Sequence, residues 1–290
     1  MNITIYGLGE AGSLIGQDIA SALHSNDLAA SGNRSTPHPD RCPGKGSGGR
    51  VCKVTGFDPR PVPTPEHIQR VDDAAEAVQE ADFVLSFTAS VDAKQALQQG
   101  LSSMPADCVY ADFASASAGL KAELATLAAS RQIRFVDVAL MAMVPGNGIS
   151  TPAMCSGSGH PNLVELLQPL GMPITAVSDQ AGDAAQRKLL RSVVIKGLAA
   201  LLIESLEAAH QTDCADWLWQ NLSDEFTRMD HTMLERLVTG TGVHAARRLH
   251  EMQASASQLQ ELGVEPLMTN STVGSLQKVL EQGVPKVPGR

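Results

Sequence analysis

The sequence predicts an α/β domain built on a doubly wound parallel sheet, followed by an all-α C-terminal domain. Three observations predict it. Short apolar, β-rich runs alternate with helical patterns through the first 178 residues, the arrangement that gives a parallel sheet with helices on both faces. From about Asp179 the β-rich runs stop and only helical periodicity continues. Between the first apolar run and the first helical stretch stands Gly7-Leu8-Gly9-Glu10-Ala11-Gly12, a G-x-G-x-x-G placed where a strand turns into a helix.

The elements follow in order. Asn2–Tyr6 opens the chain as a strand, with Ile3–Tyr6 its apolar body, and Ser13 to Leu23 reads as the first helix. Further strands are expected at Val51–Phe57, Phe83–Phe87, Cys108–Asp112, Ile133–Val138, Ala153–Ser156 and Ile174–Val177. Helices are expected between them at Asp73–Glu80, Val91–Gly100, Ala118–Ser130 and Asn162–Leu170. The later helices are Asp183–His210, Asp213–Thr239, Val243–Leu262 and Ser271–Gln282. The predicted domains are therefore 1–178 and 179–290. One segment interrupts the first: Ser31–Arg50 carries five glycines, three prolines and four Lys/Arg, too little apolar area to offset ordering, and reads as a mobile insertion. It joins the first helix to the second strand, at the sheet edge opposite the crevice where open α/β sheets bind ligands, so no direct chemistry is expected of it. Its His38 and Cys42, with Cys52 beyond it, match no standard metal spacing.

The bulk numbers exclude several classes. The chain has 290 residues with an apolar share of 43%, ample for a sizeable core, and a net charge of −9. With a pI near 5.3 it lacks the basic footprint that nucleic acid or an acidic membrane surface would demand. Five scattered cysteines without a C-x-x-C pair read as reduced thiols, not as a disulfide frame or zinc site. No apolar run reaches transmembrane length and no basic n-region precedes the N-terminal apolar residues, so a cytoplasmic, metal-free protein is expected.

The glycine pattern is the fingerprint of a Rossmann-type dinucleotide site. The first glycine allows a tight turn, the second lets the backbone approach a pyrophosphate, and the third lets the helix pack closely on the strand. Gly7, Leu8, Gly9, Glu10, Ala11 and Gly12 are thus the expected cofactor loop, with the helix N-terminus favouring negative charge. Asp58 ends the second strand 46 positions after Gly12; removal of the insertion restores the usual interval of about 20. Its carboxylate would accept hydrogen bonds from the adenosine ribose and disfavour a 2′-phosphate, which points to NAD. Arg60 pulls the other way, towards NADP, because an arginine there can pair with that phosphate. Ser86 and Thr88 follow the third strand and Ser115 the fourth, in small hydroxyl-rich turns at strand C-termini. Ser117 reads instead as a helix cap.

In the helix that begins near Gly182, Lys188, Arg191 and Ser192 are spaced i, i+3 and i+4 and so share a face. Its continuation, Val193 to Ala209, is apolar nearly all round and is expected to be buried between domains. A Lys/Arg/Ser face directly after a cofactor domain suggests a pocket for a small anionic substrate, with Lys188 exchanging a proton with a substrate hydroxyl.

With these residues in view, the chain resembles the β-hydroxyacid dehydrogenase family, which includes 3-hydroxyisobutyrate and 6-phosphogluconate dehydrogenases. Tyr6–Gly12 (YGLGEAG) resembles the family's cofactor motif, and Val136–Pro145 (VDVALMAMVP) falls where its substrate stretch lies. Met154–Gly171 is similar to the following strand and helix, and Gly182–Ser192 to the segment that bears the catalytic lysine. The resemblance implies that Lys188 is that lysine. Departures are visible. Met141-Ala142-Met143 stands where the family has Ser-Gly-Gly, which implies a more apolar pocket wall from Met141 and Met143. Ser192 replaces an asparagine, and Ala184 a glycine. The stretch from His244 to Met252 resembles a less characterised branch. The related dimers imply that His244 and Arg247 are either anion contacts or a solvated or dimer-facing basic stripe.

The expected function is hydride transfer between a nicotinamide and a hydroxyacid-like or other anionic alcohol or carbonyl substrate. Lys188 would be the general acid/base, with Arg191, Ser192 and Arg247 on the anionic group. A homodimer is expected from the excess of apolar helix face. Two alternatives stand beside it: an imine reductase-like enzyme on the same fold, and a non-catalytic dinucleotide sensor or scaffold with no use for the Lys188 face.

Overall fold

Alternating side chains of the early strands sort onto the two faces of one sheet. The computed structural model describes residues 1–32 and 53–288, with no account of the side chains of residues 26–32. His38, Cys42 and Cys52 and the body of the glycine-rich insertion lie outside the described residues. The chain divides into two compact units, Met1–Leu190 and Arg191–Arg290.

The first unit contains strands β1 (Asn2–Tyr6), β2 (Lys53–Phe57), β3 (Gln69–Arg70), β4 (Phe83–Ser86), β5 (Val109–Asp112), β6 (Arg134–Leu140), β7 (Ala153–Ser156) and β8 (Ile174–Ser178). They form one sheet in the order β3-β2-β1-β4-β5-β6-β7-β8. The chain reverses direction of winding between β1 and β4, the switch point at which such sheets open a ligand crevice. Every neighbouring pair is parallel except β6 with β7, which is antiparallel. Helices α1 (Glu10–Gly32), α2 (Ala74–Val78), α3 (Ala93–Leu101), α4 (Ala118–Ala129) and α5 (His160–Leu167) connect the strands, with a 3₁₀ turn at Gly148–Ser150. Ile3, Ile5, Leu85, Ala111, Val136 and Val138 pack in one buried cluster, while Tyr6, Val84, Tyr110 and Phe135 pack in another. That alternation covers both faces of the sheet, as a parallel sheet requires.

Helix α6 (Asp183–Gln211) begins in the first unit and continues into the second, where α7 (Ala215–Thr227), α8 (His231–Glu261) and α9 (Leu267–Gln282) follow. α8 packs along α9. The carboxylate of Glu204 on α6 caps the first turn of α9. It accepts hydrogen bonds from the N–H of Met268 (2.6 Å) and from the N–H and hydroxyl of Thr269 (2.9 and 2.6 Å). Burial pushes the Glu204 carboxyl up, but these hydrogen bonds outweigh it and hold it below the usual range.

Two expectations about the helices are corrected. The break expected at Gly240–Gly242 falls instead at Arg228–Asp230, where the Asp230 side chain accepts from Met233 N–H and caps α8. The glycine pair lies inside α8 just before a kink, where His244 leaves helical geometry (φ −114°, ψ 20°), in keeping with kinks arising at glycine-rich points. The apolar continuation of α6 is also not buried in the single chain: Val193, Val194, Ile195 and Ile203 are all exposed. Among the described residues no helix is long and apolar enough to cross a membrane, and no group of His, Cys, Asp and Glu is arranged to hold a metal. Cys108, Cys155 and Cys214 are free thiols; burial pushes Cys108 and Cys155 up to about 12.

Candidate functional site

The glycine turn follows β1 directly. Gly7 adopts φ +83°, and a Cβ on it would lie 2.9 Å from the carbonyl oxygen of Phe87, so only glycine fits between the ends of β1 and β4. A Cβ on Gly12 would stand 1.9 Å from the Gly7 carbonyl oxygen, so the first turn of α1 rests on the glycine turn itself. Gly9 differs: the nearest atom to its absent Cβ is a guanidinium nitrogen of Arg60 at 3.5 Å, which leaves its backbone open to a close-approaching group. The first backbone bond of α1 runs from Ser13 N–H to Gly9 O at 2.8 Å. The N–H groups of Glu10, Ala11 and Gly12 therefore precede the hydrogen-bonded ladder, as an anion site at a helix start requires.

Leu8, expected in the cofactor loop, has a buried side chain, and its N–H donates to Asp58 Oδ2 at 2.9 Å, which ties the glycine turn to the end of β2.

Asp58, expected to meet the adenosine ribose, is engaged within the protein by four donors. Its side chain is only 1% exposed. Oδ1 accepts from the Arg60 N–H (2.9 Å) and Nε (3.0 Å), and Oδ2 from Leu8 N–H and an Arg60 terminal nitrogen (3.0 Å). Burial pushes the carboxyl up, but the Arg60 guanidinium and the two N–H donors prevail and hold it below the ordinary range. The charge of Asp58 is thus matched internally, while the Arg60 side chain, 66% exposed, is the group presented to solvent beside Gly9. Arg70, which the sequence reading did not single out, holds this loop by donating to the carbonyls of Asp58, Arg60 and Val62.

At the next two strand ends the hydroxyls divide. Ser86 is fully buried and lies 3.3 Å from the Thr88 hydroxyl, so it supports the turn from beneath, and Thr88 is the half-buried member. Phe87 and Phe113 stack with centroids 4.2 Å apart and join the turns after β4 and β5. Ser117 caps α4 by accepting from Leu120 N–H. Ser115, two residues earlier, is exposed, and Lys188 Nζ donates to its Oγ at 2.8 Å. The structure brings together these two sequence-predicted residues, 73 positions apart, over a small recess lined also by Ala114, Asp137, Ala139 and Ala185.

Beneath that pair lies a cluster the sequence reading missed. Lys121 on α4 is fully buried, with Nζ 2.8 Å from Asp112 Oδ2 and 3.0 Å from Asp137 Oδ1. Among the described residues these two oxygens have no other hydrogen-bond partner, so the ammonium alone offsets them. Burial pushes the Asp112 carboxyl up against the opposing pull of Lys121. The signal was present in the sequence as an aspartate at the end of one strand, Asp112, and another within the next, Asp137.

The remaining candidates are distributed as follows. Met141 is half-buried and Met143 is 74% exposed. Arg191 and Ser192 come one turn after Lys188 on α6 and belong to the second unit. In that unit His244 is exposed at the α8 kink, and Arg247 pairs with Glu251 at 2.8 Å on the helix surface.

Comparison with known proteins bears on the fold. Residues 209–279 match a family model described as a domain of unknown function (DUF1932). A curated relative, an uncharacterized 28.5 kDa protein in the 7S RNA 5′ region of Methanothermus fervidus, is 26% identical over 148 residues. That match takes in 51% of this chain and spans 57% of the relative's length. Among solved structures, a conserved hypothetical protein from Sinorhizobium meliloti has 24% identity and a TM-score of 0.57, covering 98% of this chain and 91% of its own. A reductive aminase from Aspergillus terreus, in complex with NADPH4, cyclohexanone and allyl amine, has 16% identity and a TM-score of 0.71, covering 98% and 94%. An imine reductase from Myxococcus stipitatus in complex with NADP+ has 12% identity and a TM-score of 0.71, covering 98% and 96%. The chain therefore has the fold of the NADP(H)-binding imine reductases, a mostly parallel α/β sheet followed by long C-terminal helices. The fold agrees with the one expected from the dehydrogenase resemblance; that family's activity gains no separate support.

Proposed function

We propose that this protein is a nicotinamide-dependent reductase of a polar C=N or C=O bond, with NADP(H) as its preferred cofactor. The observation that carries the reading is the Lys188–Ser115 hydrogen bond at the end of β5, on the same sheet edge as the open backbone of Gly9. The residues present fit the cofactor: Gly9 leaves room for a pyrophosphate, the first N–H groups of α1 can receive its charge, and Arg60, exposed beside Gly9, would supply a cation for a 2′-phosphate. The internal matching of Asp58 by Arg60 supports NADP(H) over the NAD expected from Asp58 alone. When bound, the reduced nicotinamide supplies a hydride.

The chain's own contribution is proton supply and orientation. Lys188 would donate a proton to the nitrogen or oxygen of the reduced bond, and Ser115 would hold the Lys188 nitrogen in place and accept from it. Arg191 and Ser192, at i+3 and i+4 from Lys188, would meet an anionic substrate group, and Met141 with Met143 would supply apolar contact. The imine reading is favoured by the solved relatives. The hydroxyacid dehydrogenase reading is favoured by Lys188 itself, because an ammonium suits a developing alkoxide.

A nicotinamide-absorbance panel separates these readings. NADPH and NADH are each tried with cyclic imines, with ketone and amine mixtures, and with 2- and 3-keto acids. The expected result is consumption of NADPH in preference to NADH with at least one class. Tight NADPH binding with no turnover across the panel would support the sensor or scaffold instead.

We also propose a homodimer. In the single chain Leu190, Val193, Val194, Ile195 and Ile203 of α6, Trp217 and Trp219 of α7, and Val243 of α8 are exposed by half or more, more apolar surface than a soluble monomer ordinarily shows.

A further inference from the structure

A buried ion triad is a poor stabiliser, since desolvation of the charges cancels much of their attraction. The Asp112–Lys121–Asp137 cluster therefore calls for another reason. Asp112 and Asp137 face each other in register on the parallel strands β5 and β6, so the sheet itself delivers two carboxylates to one level, and Lys121 reaches both from α4. Each carboxylate then extends towards one half of the candidate site.

On the Ser115 side, Lys121 Nζ donates to the Asp112 carbonyl at 2.8 Å, and Asp112 Oδ1 accepts from Ala114 N–H at 3.4 Å. The backbone just before Ser115 is thereby held at two points. On the Lys188 side, Asp137 Oδ2 accepts from Ala185 N–H at 2.8 Å and from the Ser156 hydroxyl at 3.4 Å, and Ser156 Oγ accepts from Ala184 N–H at 3.1 Å. Two N–H groups of the first turn of α6, which have no intrahelical acceptor, are satisfied this way. The positive end of the helix dipole also meets the carboxylate left over when one lysine faces two aspartates. Gly182 (φ +105°) brings the start of α6 so close to α4 that a Cβ there would lie 2.7 Å from the Ala118 carbonyl oxygen. Lys188 follows Ala185 by one turn.

We propose that Asp112, Lys121 and Asp137, with Ser156, are positioning residues that hold the first turn of α6 and the β5–α4 turn in one frame, and so set Lys188 against Ser115. The proposal deepens the functional reading and rests on it for its kinetic consequence, while its structural consequence is independent. Asp137→Ala removes the acceptor for Ala185 N–H; Asp137→Asn keeps an acceptor oxygen and leaves Lys121 balanced by Asp112; Ser156→Ala frees Ala184 N–H without any change of charge.

The test combines turnover of the best substrate from the panel with hydrogen–deuterium exchange of the peptide spanning residues 182–190. Asp137→Ala and Ser156→Ala are expected to lower kcat by about tenfold to a hundredfold, the scale of a slightly misplaced catalytic group, with the KM for NADPH within about twofold. Exchange at the start of α6 is expected to quicken in both, by about fivefold for one lost hydrogen bond. Asp137→Asn is expected to restore both readouts. Unchanged exchange in Asp137→Ala and Ser156→Ala, or exchange that quickens with no effect on kcat in an active enzyme, overturns the proposal. Where Asp137→Ala does not fold, Ser156→Ala decides on the same two readouts. If the wild-type protein turns over nothing, the functional reading has failed; quickened exchange with rescue by Asp137→Asn then still supports the tether, and unchanged exchange overturns it.

Discussion

Arg60→Ala tests the cofactor assignment most sharply, because the structure makes its two consequences add. The substitution removes a guanidinium that is 66% exposed beside Gly9 and with it the cation proposed to meet a 2′-phosphate. A hydrogen bond to a charged group contributes about 1.5–3 kcal/mol, which is about tenfold to a hundredfold in affinity. It also removes two 3.0 Å contacts from a carboxylate that is nearly fully buried, leaving Asp58 with only N–H donors. The charge that Arg60 masked would then repel the same phosphate. NADH lacks that phosphate, so its affinity should change by less than about threefold. Calorimetric titration of the wild-type and variant proteins with NADPH and NADH in one buffer, at fixed ionic strength, measures all four constants. Parallel weakening of both cofactors would mean that Arg60 only supports the turn through Asp58. No weakening of either would remove it from the site.

Further consequences can be checked as simply. Gly12→Ala sets a methyl group 1.9 Å from the Gly7 carbonyl oxygen, so thermal unfolding should show a loss of about 1–3 kcal/mol and NADPH titration a loss of binding. Glu204→Gln removes a carboxylate held below its ordinary pKa. The stability it contributes is fully present above the ordinary carboxylate range and is lost as pH falls through the lowered value. Denaturant melts should therefore show the variant less stable by about 1–3 kcal/mol near neutral pH, with the gap closing below about pH 4. Light scattering at micromolar concentration should report a dimer, and Val194→Asp should shift it towards monomer; a wild-type monomer would contradict the reading of the exposed apolar residues.

Much of the fold was legible because it rests on local signals. The strand, Gly7–Gly12 and helix sequence at the N-terminus needs only neighbouring residues to be read. The antiparallel β7 was not legible, because a four-residue apolar strand carries no mark of direction. Nor was the two-residue β3. The boundary before α8 was missed because Gly240 and Gly242 drew the break to themselves, although Asp230 three residues before Met233 is an N-cap signal. At the site, Lys188 and Ser115 stood out by position, but Lys121 looks in sequence like any solvated helical lysine. Its role depends on the register of β5 against β6, which no spacing along the chain reveals. Asp58 was read as a ligand contact because the strand-end position suits one; its pairing with Leu8 and Arg60 is a tertiary fact.

The central claim is that Lys188, set against Ser115, moves the proton in a nicotinamide-dependent reduction. Steady-state turnover of Lys188→Met, with NADPH and the best substrate of the panel, tests it directly when paired with NADPH titration. A fall in kcat of about a hundredfold to ten-thousandfold, the usual contribution of a general acid, with NADPH affinity within about twofold of wild type, is the predicted result. Near-wild-type turnover by that variant would contradict it.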